Sequence, residues 1–470
     1  MTTITSSSTS MDRIPPEILI QILEETASLD ATDRLHRDTP PTSLFFCSQV
    51  NRRWNIIAKT PSLYKEIRVP FKALYERGYN SSKWLQAWLE RSHPYLVQLN
   101  IQLEEDIHKE IYQFHGLLKS LIPHASRLKR VSITAFDEVT LDLAILFDPL
   151  KYVDAPILEE IEIHHTKNSC TPARRVAMRS EPVGWSCFFW SAPNLRRVTV
   201  LGAVTERPLV RLTYLEMCNV VLNEAVFREI AGDCPNLEEL KLRNLHIPTP
   251  VFTVVHQSKA SVPLLSLRSL TLTFELGTFD DLVEGDYAYV LSRIVAPSLE
   301  YLEVDVGKLL VDFGNILPPP SSLPALRTVC IHNMGPSFFL DTDYFDELSF
   351  GRIEEIRLVN AQPEPLGLDC SASKSQWSHL KTLSIDTQDA ADLVWLCEAI
   401  MLRPQVRTVC LSESSLKELR ENVVMIQMSK DLFWVGIRSC CSTLQGWEFA
   451  EEGYQICPEE WLGSRIALKA

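Results

Sequence analysis

Pro297-Ser298-Leu299-Glu300-Tyr301-Leu302-Glu303-Val304 is answered 27 residues later by Pro324-Ala325-Leu326-Arg327-Thr328-Val329-Cys330-Ile331. Both stretches carry an aliphatic residue, two others, an aliphatic, one other, and an aliphatic. The same interval leads to Ile353/Ile356/Leu358 and then to Leu380/Leu383/Ile385. Upstream the phrase recurs as Leu96/Leu99/Ile101, Leu128/Val131/Ile133, Leu158/Ile161/Ile163, Leu195/Val198/Val200, Leu212/Leu215/Met217, Leu237/Leu240/Leu242 and Leu267/Leu270/Leu272. Downstream it continues as Val406/Val409/Leu411 and decays at Leu444/Trp447/Phe449. Repetition on this scale makes one supersecondary unit, used many times, the governing feature of the chain.

The last two aliphatic residues of each phrase are two apart, so they share one face of a short strand while their neighbours take the other. A proline stands two residues ahead of the first aliphatic at Pro94, Pro156, Pro193, Pro235, Pro297, Pro324 and Pro404. Lacking a backbone donor, it marks the end of a preceding helix and the entrance to a strand. A single such strand is unstable, whereas parallel stacking buries the leucines in a continuous interior. Helices at Glu224 to Ala231 and Asp392 to Leu402 are expected to cover its outer side. Long intervals mark loops at Lys167 to Gly184, Val311 to Pro324 and Ala361 to Ser378, the kind of segment that often carries recognition.

The first seventy residues follow a different pattern. Ile14-Pro15-Pro16-Glu17-Ile18-Leu19-Ile20-Gln21-Ile22-Leu23 opens with prolines suited to a first helical turn and places Ile18, Leu19, Ile22 and Leu23 on one side. Asp30 to Thr42 is polar, ends in Pro40-Pro41 and reads as a loop. A second helix is expected from Ser43, with Leu44, Phe45, Cys47, Val50, Trp54 and Ile57 as its stripe. Thr60-Pro61 stops it, and Leu63, Tyr64 and Ile67 add a third apolar cluster. A module of this size has too little interior to bury all these side chains, so some apolar surface is left for a partner.

Ile14-Pro15-Pro16-Glu17-Ile18-Leu19, Cys47-Ser48-Gln49-Val50-Asn51-Arg52-Arg53-Trp54-Asn55-Ile56-Ile57-Ala58 and Thr60-Pro61-Ser62-Leu63-Tyr64 resemble the F-box family in order and spacing. Departures are Ile14 for the usual leucine, Asn51 for a frequent cysteine and Tyr64 for a frequent tryptophan. Lys83 to Ser92 reads as an amphipathic helix capped by Ser81 or Ser82. Its W-L-x-x-W-L-E-R-S phrase is similar to one that often follows the F-box in proteins of mushroom-forming fungi. The repeats in turn resemble leucine-rich repeats of the F-box type, whose period is 20 to 29 residues. Asn219, Asn244, Asn333 and Asn360 fall one place before the usual asparagine position.

These resemblances imply an α/β chain: a short all-α F-box module followed by an irregular leucine-rich-repeat solenoid with a parallel sheet on its inner face. The expected division is a disordered tail over 1–10, the F-box over 11–70, a linker helix over 71–95 and the repeats over 96–470. The implied function is substrate recognition for a Skp-cullin-F-box ubiquitin ligase. Ile14, Pro15, Pro16, Ile18, Leu19, Ile22, Leu23, Val50, Arg53, Trp54, Leu63 and Tyr64 would dock on the Skp-family adaptor, and through it on cullin and RING subunits. The alternative is a non-degradative scaffold that binds the adaptor only. Strand alternation exposes Glu160, Glu162, Arg197, Tyr214, Glu239, Lys241, Tyr301, Glu303, Asp305 and Arg357 as candidate contacts to an unknown protein target. That face is mixed and slightly acidic, which suits a basic segment.

Composition narrows the alternatives. A net charge of -14 disfavours nucleic acid and anionic lipid as partners. No apolar run reaches the roughly 18 to 20 residues a membrane span needs. The 12 cysteines form no C-x-x-C pair, so reduced thiols in a cytoplasmic or nuclear protein are expected. His164-His165 point to opposite faces of one strand and offer no metal-ligand spacing. With 16 glycines and no phosphate loop, nucleophile elbow or H-E-x-x-H helix, neither a cofactor, a metal nor an enzymatic activity is expected.

Overall fold

A computed structural model describes residues 14–32, 49–50, 52–71, 80–103, 107–135, 148–165, 191–201, 210–218, 224–245, 261–274, 293–305, 320–333, 352–360, 379–386, 406, 408–412 and 463–467. The expected tail over 1–10, the helix at Asp392 to Leu402, the last degraded phrase and nearly all of the three long loops lie outside these residues. So do the side chains of His164, His165 and Asn244, and all of Asn219. The chain forms two compact units, residues 1–212 and 213–470.

In the first unit, α1 (Pro16–Thr32) and α2 (Arg52–Ile57) precede a short 3-10 turn, Pro61–Tyr64. α1 continues three residues into the stretch read as loop from Asp30. Strand β1 (Glu66–Pro70) follows at once, so the sheet begins at Glu66 rather than at Leu96. Its residues fit the repeating phrase when Tyr64 fills the first aliphatic place, with Ile67 and Val69 as the alternating pair. Next come α3 (Ser81–Arg91), β2 (Val97–Leu103), α4 (Ile107–Leu121), β3 (Leu128–Ala135), β4 (Glu160–His165) and β5 (Arg197–Leu201). Each strand pairs in parallel with the one before it, in the order β1-β2-β3-β4-β5.

The cap of α3 is Asn80, whose side-chain oxygen accepts from the Lys83 amide at 3.0 Å. Ser81 and Ser82 are already inside the helix. Asparagine is as good a cap as serine, and here it stands where the chain is still extended. Leu85 and Leu89 of α3, and Phe114, Leu117, Leu118 and Leu121 of α4, are buried and close one side of the sheet. One phrase is displaced: Leu96 is exposed and Val97 takes the buried place. The pairing explains it, since Val97 faces Leu128 whereas Gln98 faces Arg130, a bulge that adds a residue to β3.

The second unit holds β6 (Tyr214–Cys218), α5 (Glu224–Asp233), β7 (Glu239–Leu245), β8 (Val262–Pro263), β9 (Ser269–Phe274), β10 (Ile294–Val295), β11 (Tyr301–Asp305), β12 (Thr328–His332), β13 (Glu355–Val359), β14 (Thr382–Asp386), β15 (Thr408–Ser412) and β16 (Gly463–Ala467). Its main sheet runs β6-β7-β9-β11-β12-β13-β14-β15 in parallel, with β16 antiparallel at the end; β8 and β10 form a separate small ladder. The register sets the aliphatic residues in rows. Leu215, Leu240, Leu270, Leu302, Val329, Ile356 and Leu383 make one, and Met217, Leu242, Leu272, Val304, Ile331 and Leu358 the next. All are buried. Phe227 and Ile230 of α5 are buried as well.

The recurrent prolines have a specific place. In Ala155-Pro156-Ile157-Leu158, Ala192-Pro193-Asn194-Leu195, Cys234-Pro235-Asn236-Leu237, Ala296-Pro297-Ser298-Leu299 and Leu323-Pro324-Ala325-Leu326, the last amide donates to the first carbonyl at 3.1 Å. Proline therefore sits at the second position of a β-turn, where its fixed φ is already correct. Each turn aims the first aliphatic residue of the phrase into the interior before the strand begins.

At the other end of the strands, Asn333 and Asn360 adopt positive φ of 56° and 48°. Asn333 Nδ2 donates to Asp305 Oδ1, and Asn360 Nδ2 donates to Asn333 Oδ1, both at 2.8 Å. A side-chain ladder thus ties the ends of β11, β12 and β13. Asparagine suits it because it tolerates the left-handed region and both donates and accepts. Asn333→Ala is expected to cost about 1–2 kcal/mol in urea denaturation, from the lost bonds and the strained φ together. Asn333→Gly removes the bonds but not the conformational freedom, so it should cost less; equal losses would mean that backbone strain contributes nothing.

Candidate functional site

The N-terminal helices divide their apolar residues between two tasks. Leu19, Leu23, Ile57, Ala58, Leu63 and Tyr64 form a buried cluster, with Ile14, Ile20, Trp54 and Trp88 packed against it. The Tyr64 hydroxyl donates to the Ala58 carbonyl at 2.7 Å, and its ring meets Trp88 edge-on at 5.0 Å. Trp88 in turn stacks on Trp84 at 4.9 Å, so α3 closes the cluster from the far side. Burial raises the Tyr64 pKa, opposed by the neighbouring Arg91.

Of the twelve residues expected to meet an adaptor, Leu19, Leu23, Leu63 and Tyr64 are therefore interior. Their place as contact residues is corrected: they hold the helices together and offer no surface. The outward residues are Pro15, Pro16, Ile18, Ile22 and Val50. Ile18 is 44% exposed, Ile22 42% and Val50 60%. Ile18 and Ile22 are four apart on α1 and so stand one above the other on the same stripe. Ile56, 63% exposed, joins this set; the sequence reading passed over it because it falls beside the Val50/Trp54/Ile57 stripe. Arg53 donates through Nη2 to the Ile14 carbonyl, which fastens the start of α1 to α2. Ile14 and Trp54 are half-buried and support the surface from beneath.

The second candidate surface is the polar face of each sheet. In the first unit it carries Arg130, Glu160, Glu162 and Arg197. Glu160 lies 3.1 Å from Arg130 and 3.2 Å from Arg197, and Glu162 lies 2.7 Å from Arg130. In the second unit Glu216 accepts from Tyr214 and from Arg243, each at 2.5 Å. Lys241 pairs with Glu239 at 3.0 Å and lies over the Tyr214 ring at 5.4 Å. Arg357 pairs with Glu355 at 2.8 Å, and Asp305 belongs to the asparagine ladder. Tyr214 itself is buried. Glu160, Glu162, Glu216, Glu239 and Glu355 are thus matched by cations within the same sheets, which weakens the charge argument for a basic target segment.

Glu303 on β11 is the centre of a hydrogen-bonded group in the second unit. Its Oε1 lies 3.0 Å from His332 Nε2, while Tyr301 Oη and Thr271 Oγ1 donate to Oε2 at 2.9 and 3.3 Å. Cys330 Sγ lies 3.2 Å from the same His332 nitrogen. The His332 hydrogen bond outweighs burial and holds the Glu303 carboxyl down at about 2. Burial opposes a charged His332, yet the bonds to Cys330 and Glu303 prevail and carry it up to about 10. Burial, with Cys330 and Glu303 beside it, pushes the Tyr301 phenol up. Strand alternation alone puts Tyr301, Glu303, Cys330 and His332 on one face, whereas only the register shows that they meet.

Among the described residues no helix is long and apolar enough to cross a membrane. A search of the curated proteins found no match to the chain. The family model described as F-box-like matches residues 11–70, the segment whose helices bury Leu19 and Leu23 and present Ile18 and Ile22, and this part of the chain is an F-box-like domain.

Proposed function

We propose that the protein is a substrate-recognition subunit of a Skp-cullin-F-box ubiquitin ligase. F-box domains generally bind Skp-family adaptors, and the exposed aliphatic pair Ile18 and Ile22 on α1 of the F-box-like domain is the observation that carries the reading. A surface of this kind is normally covered by a partner. The chain performs no chemistry in this role. It raises the effective concentration of a target at a transfer reaction run by other subunits. The parallel sheets, with their 27-residue interval and asparagine ladder, support a leucine-rich-repeat solenoid as the target-binding part. Arg197, Lys241, Tyr301 and the paired acids of the polar faces are the proposed contacts. Their internal pairing favours a target read by shape and hydrogen bonding over one drawn by net charge.

Affinity purification of the full chain followed by mass spectrometry tests the assignment. The expected set contains the adaptor, a cullin, a RING subunit and at least one further protein whose level rises when the chain is removed. Recovery of the adaptor without cullin, or a level unchanged on removal for every captured protein, would overturn the ligase role and leave an adaptor-bound scaffold.

A further inference from the structure

β11 and β12 place Glu303 directly opposite Cys330, and His332 follows two residues along on the same face. Three different ligand atoms converge there. Glu303 Oε1 and Cys330 Sγ lie 3.0 and 3.2 Å from one nitrogen, His332 Nε2. All three donor atoms fall within 4.8 Å of one another. A catalytic relay is built otherwise, because there the acid holds one ring nitrogen while the nucleophile uses the other. Cys330 is also 1% exposed, too deep to attack a substrate. The separations instead approach those around a tetrahedral ion. Bonds of about 2.0–2.3 Å put sulfur and nitrogen ligands roughly 3.5 Å apart, and nitrogen and oxygen ligands roughly 3.3 Å apart.

We propose that Glu303, Cys330 and His332 form a binding site for a zinc-class divalent cation, three protein ligands with water as the fourth, on the polar face of the second unit's sheet. Three features beyond proximity support it. The ligands stand on two adjacent strands whose backbones are bonded on both sides, so their positions are fixed in advance. Tyr301 and Thr271 occupy Glu303 Oε2 and leave Oε1 to face the site, the kind of outer contact that orients a metal-binding carboxylate. The Glu303 and His332 side chains keep 28% and 24% of their exposure, which gives the ion a way in.

The donor set selects the ion. A thiolate with an imidazole prefers zinc or cobalt to magnesium or calcium. Charge also closes: a divalent ion, one thiolate and one carboxylate sum to zero, and the nearby Arg357 is already balanced by Glu355. Without an ion a proton on Nε2 bridges the same gap, so metal uptake releases protons. This reading is independent of adaptor docking and of any target.

Full-length protein stripped with a chelator and titrated with cobalt(II) tests the site. One equivalent should saturate and produce a thiolate-to-cobalt charge-transfer band, which zinc then abolishes by displacement. Cys330→Ser should lose the band, and His332→Ala should weaken binding at least about 10-fold. Glu303→Gln, which keeps the shape of the side chain, should retain the band with about 10-fold weaker affinity. Absence of saturable binding, or a band unchanged in Cys330→Ser protein of native circular dichroism, would overturn the proposal. So would affinity in Glu303→Gln equal to that of the parent chain.

Discussion

Replacing Ile18 and Ile22 together by aspartate is expected to weaken adaptor binding more than about 100-fold, with the fold intact. Two exposed aliphatic side chains, each contributing about 1–2 kcal/mol when covered, already account for roughly that factor. The aspartates add to it, because a carboxylate pressed into an apolar interface without a partner costs further free energy. The helix should tolerate them, since Ile18 and Ile22 are 44% and 42% exposed and α1 buries Leu19 and Leu23 instead. Leu19→Ala makes the contrast. It should destabilise the helices by about 2–5 kcal/mol through the cavity it leaves, and reduce binding only as far as the domain unfolds. Titration calorimetry with purified adaptor, beside thermal melts of each variant, separates the two. Binding within a few-fold of the parent in the double aspartate variant would remove Ile18 and Ile22 from the interface, and with them the docking reading.

The sequence could not make that distinction between neighbouring positions. Ile18, Leu19, Ile22 and Leu23 are all aliphatic, and residues one apart on a helix differ by about 100°. Which pair turns inward depends on where α2, Leu63 and Tyr64 pack, a tertiary fact. The strands were far more legible, because alternation with a fixed first residue leaves one register that buries every aliphatic side chain. The errors there came from local departures. β1 escaped notice because Tyr64, an aromatic, fills the place reserved for an aliphatic, and Leu96 was misassigned because a bulge moves Val97 into its position. Charge was the least legible quantity. Glu160 and Glu162 read as acidic in one dimension, whereas the register lays Arg130 and Arg197 beside them from the neighbouring strands. The Glu303, Cys330 and His332 group was hidden for the same reason, since its members meet only when strands 27 residues apart are laid side by side.

The strongest expected effect on stability follows from that same register. Leu302 is 1% exposed, and its pairing partners Leu270 and Val329 are buried on either side of it. A leucine in such a row has neighbours of its own kind along the sheet and cannot swing out to water without breaking the strand. Leu302→Ala should therefore cost about 2–5 kcal/mol. Leu302→Asp should cost several kcal/mol more, because the row has no cation to meet a carboxylate. Against the roughly 5–15 kcal/mol by which a domain is normally stable, the aspartate variant should lose cooperative structure in the second unit. Hydrogen exchange read by mass spectrometry on the whole chain would show it as lost protection in β9, β11 and β12. Leu302→Met, close in volume, should change stability by less than about 1.5 kcal/mol, and Glu300→Ala, at an exposed position two residues earlier, by no more than about 0.5 kcal/mol. Protection retained in the aspartate variant would mean that the aliphatic rows are not the continuous interior of this unit. In that case the 27-residue interval would be a feature of the sequence without the structural consequence drawn from it, because no other arrangement on these strands gives the third aliphatic position of every phrase a reason to recur.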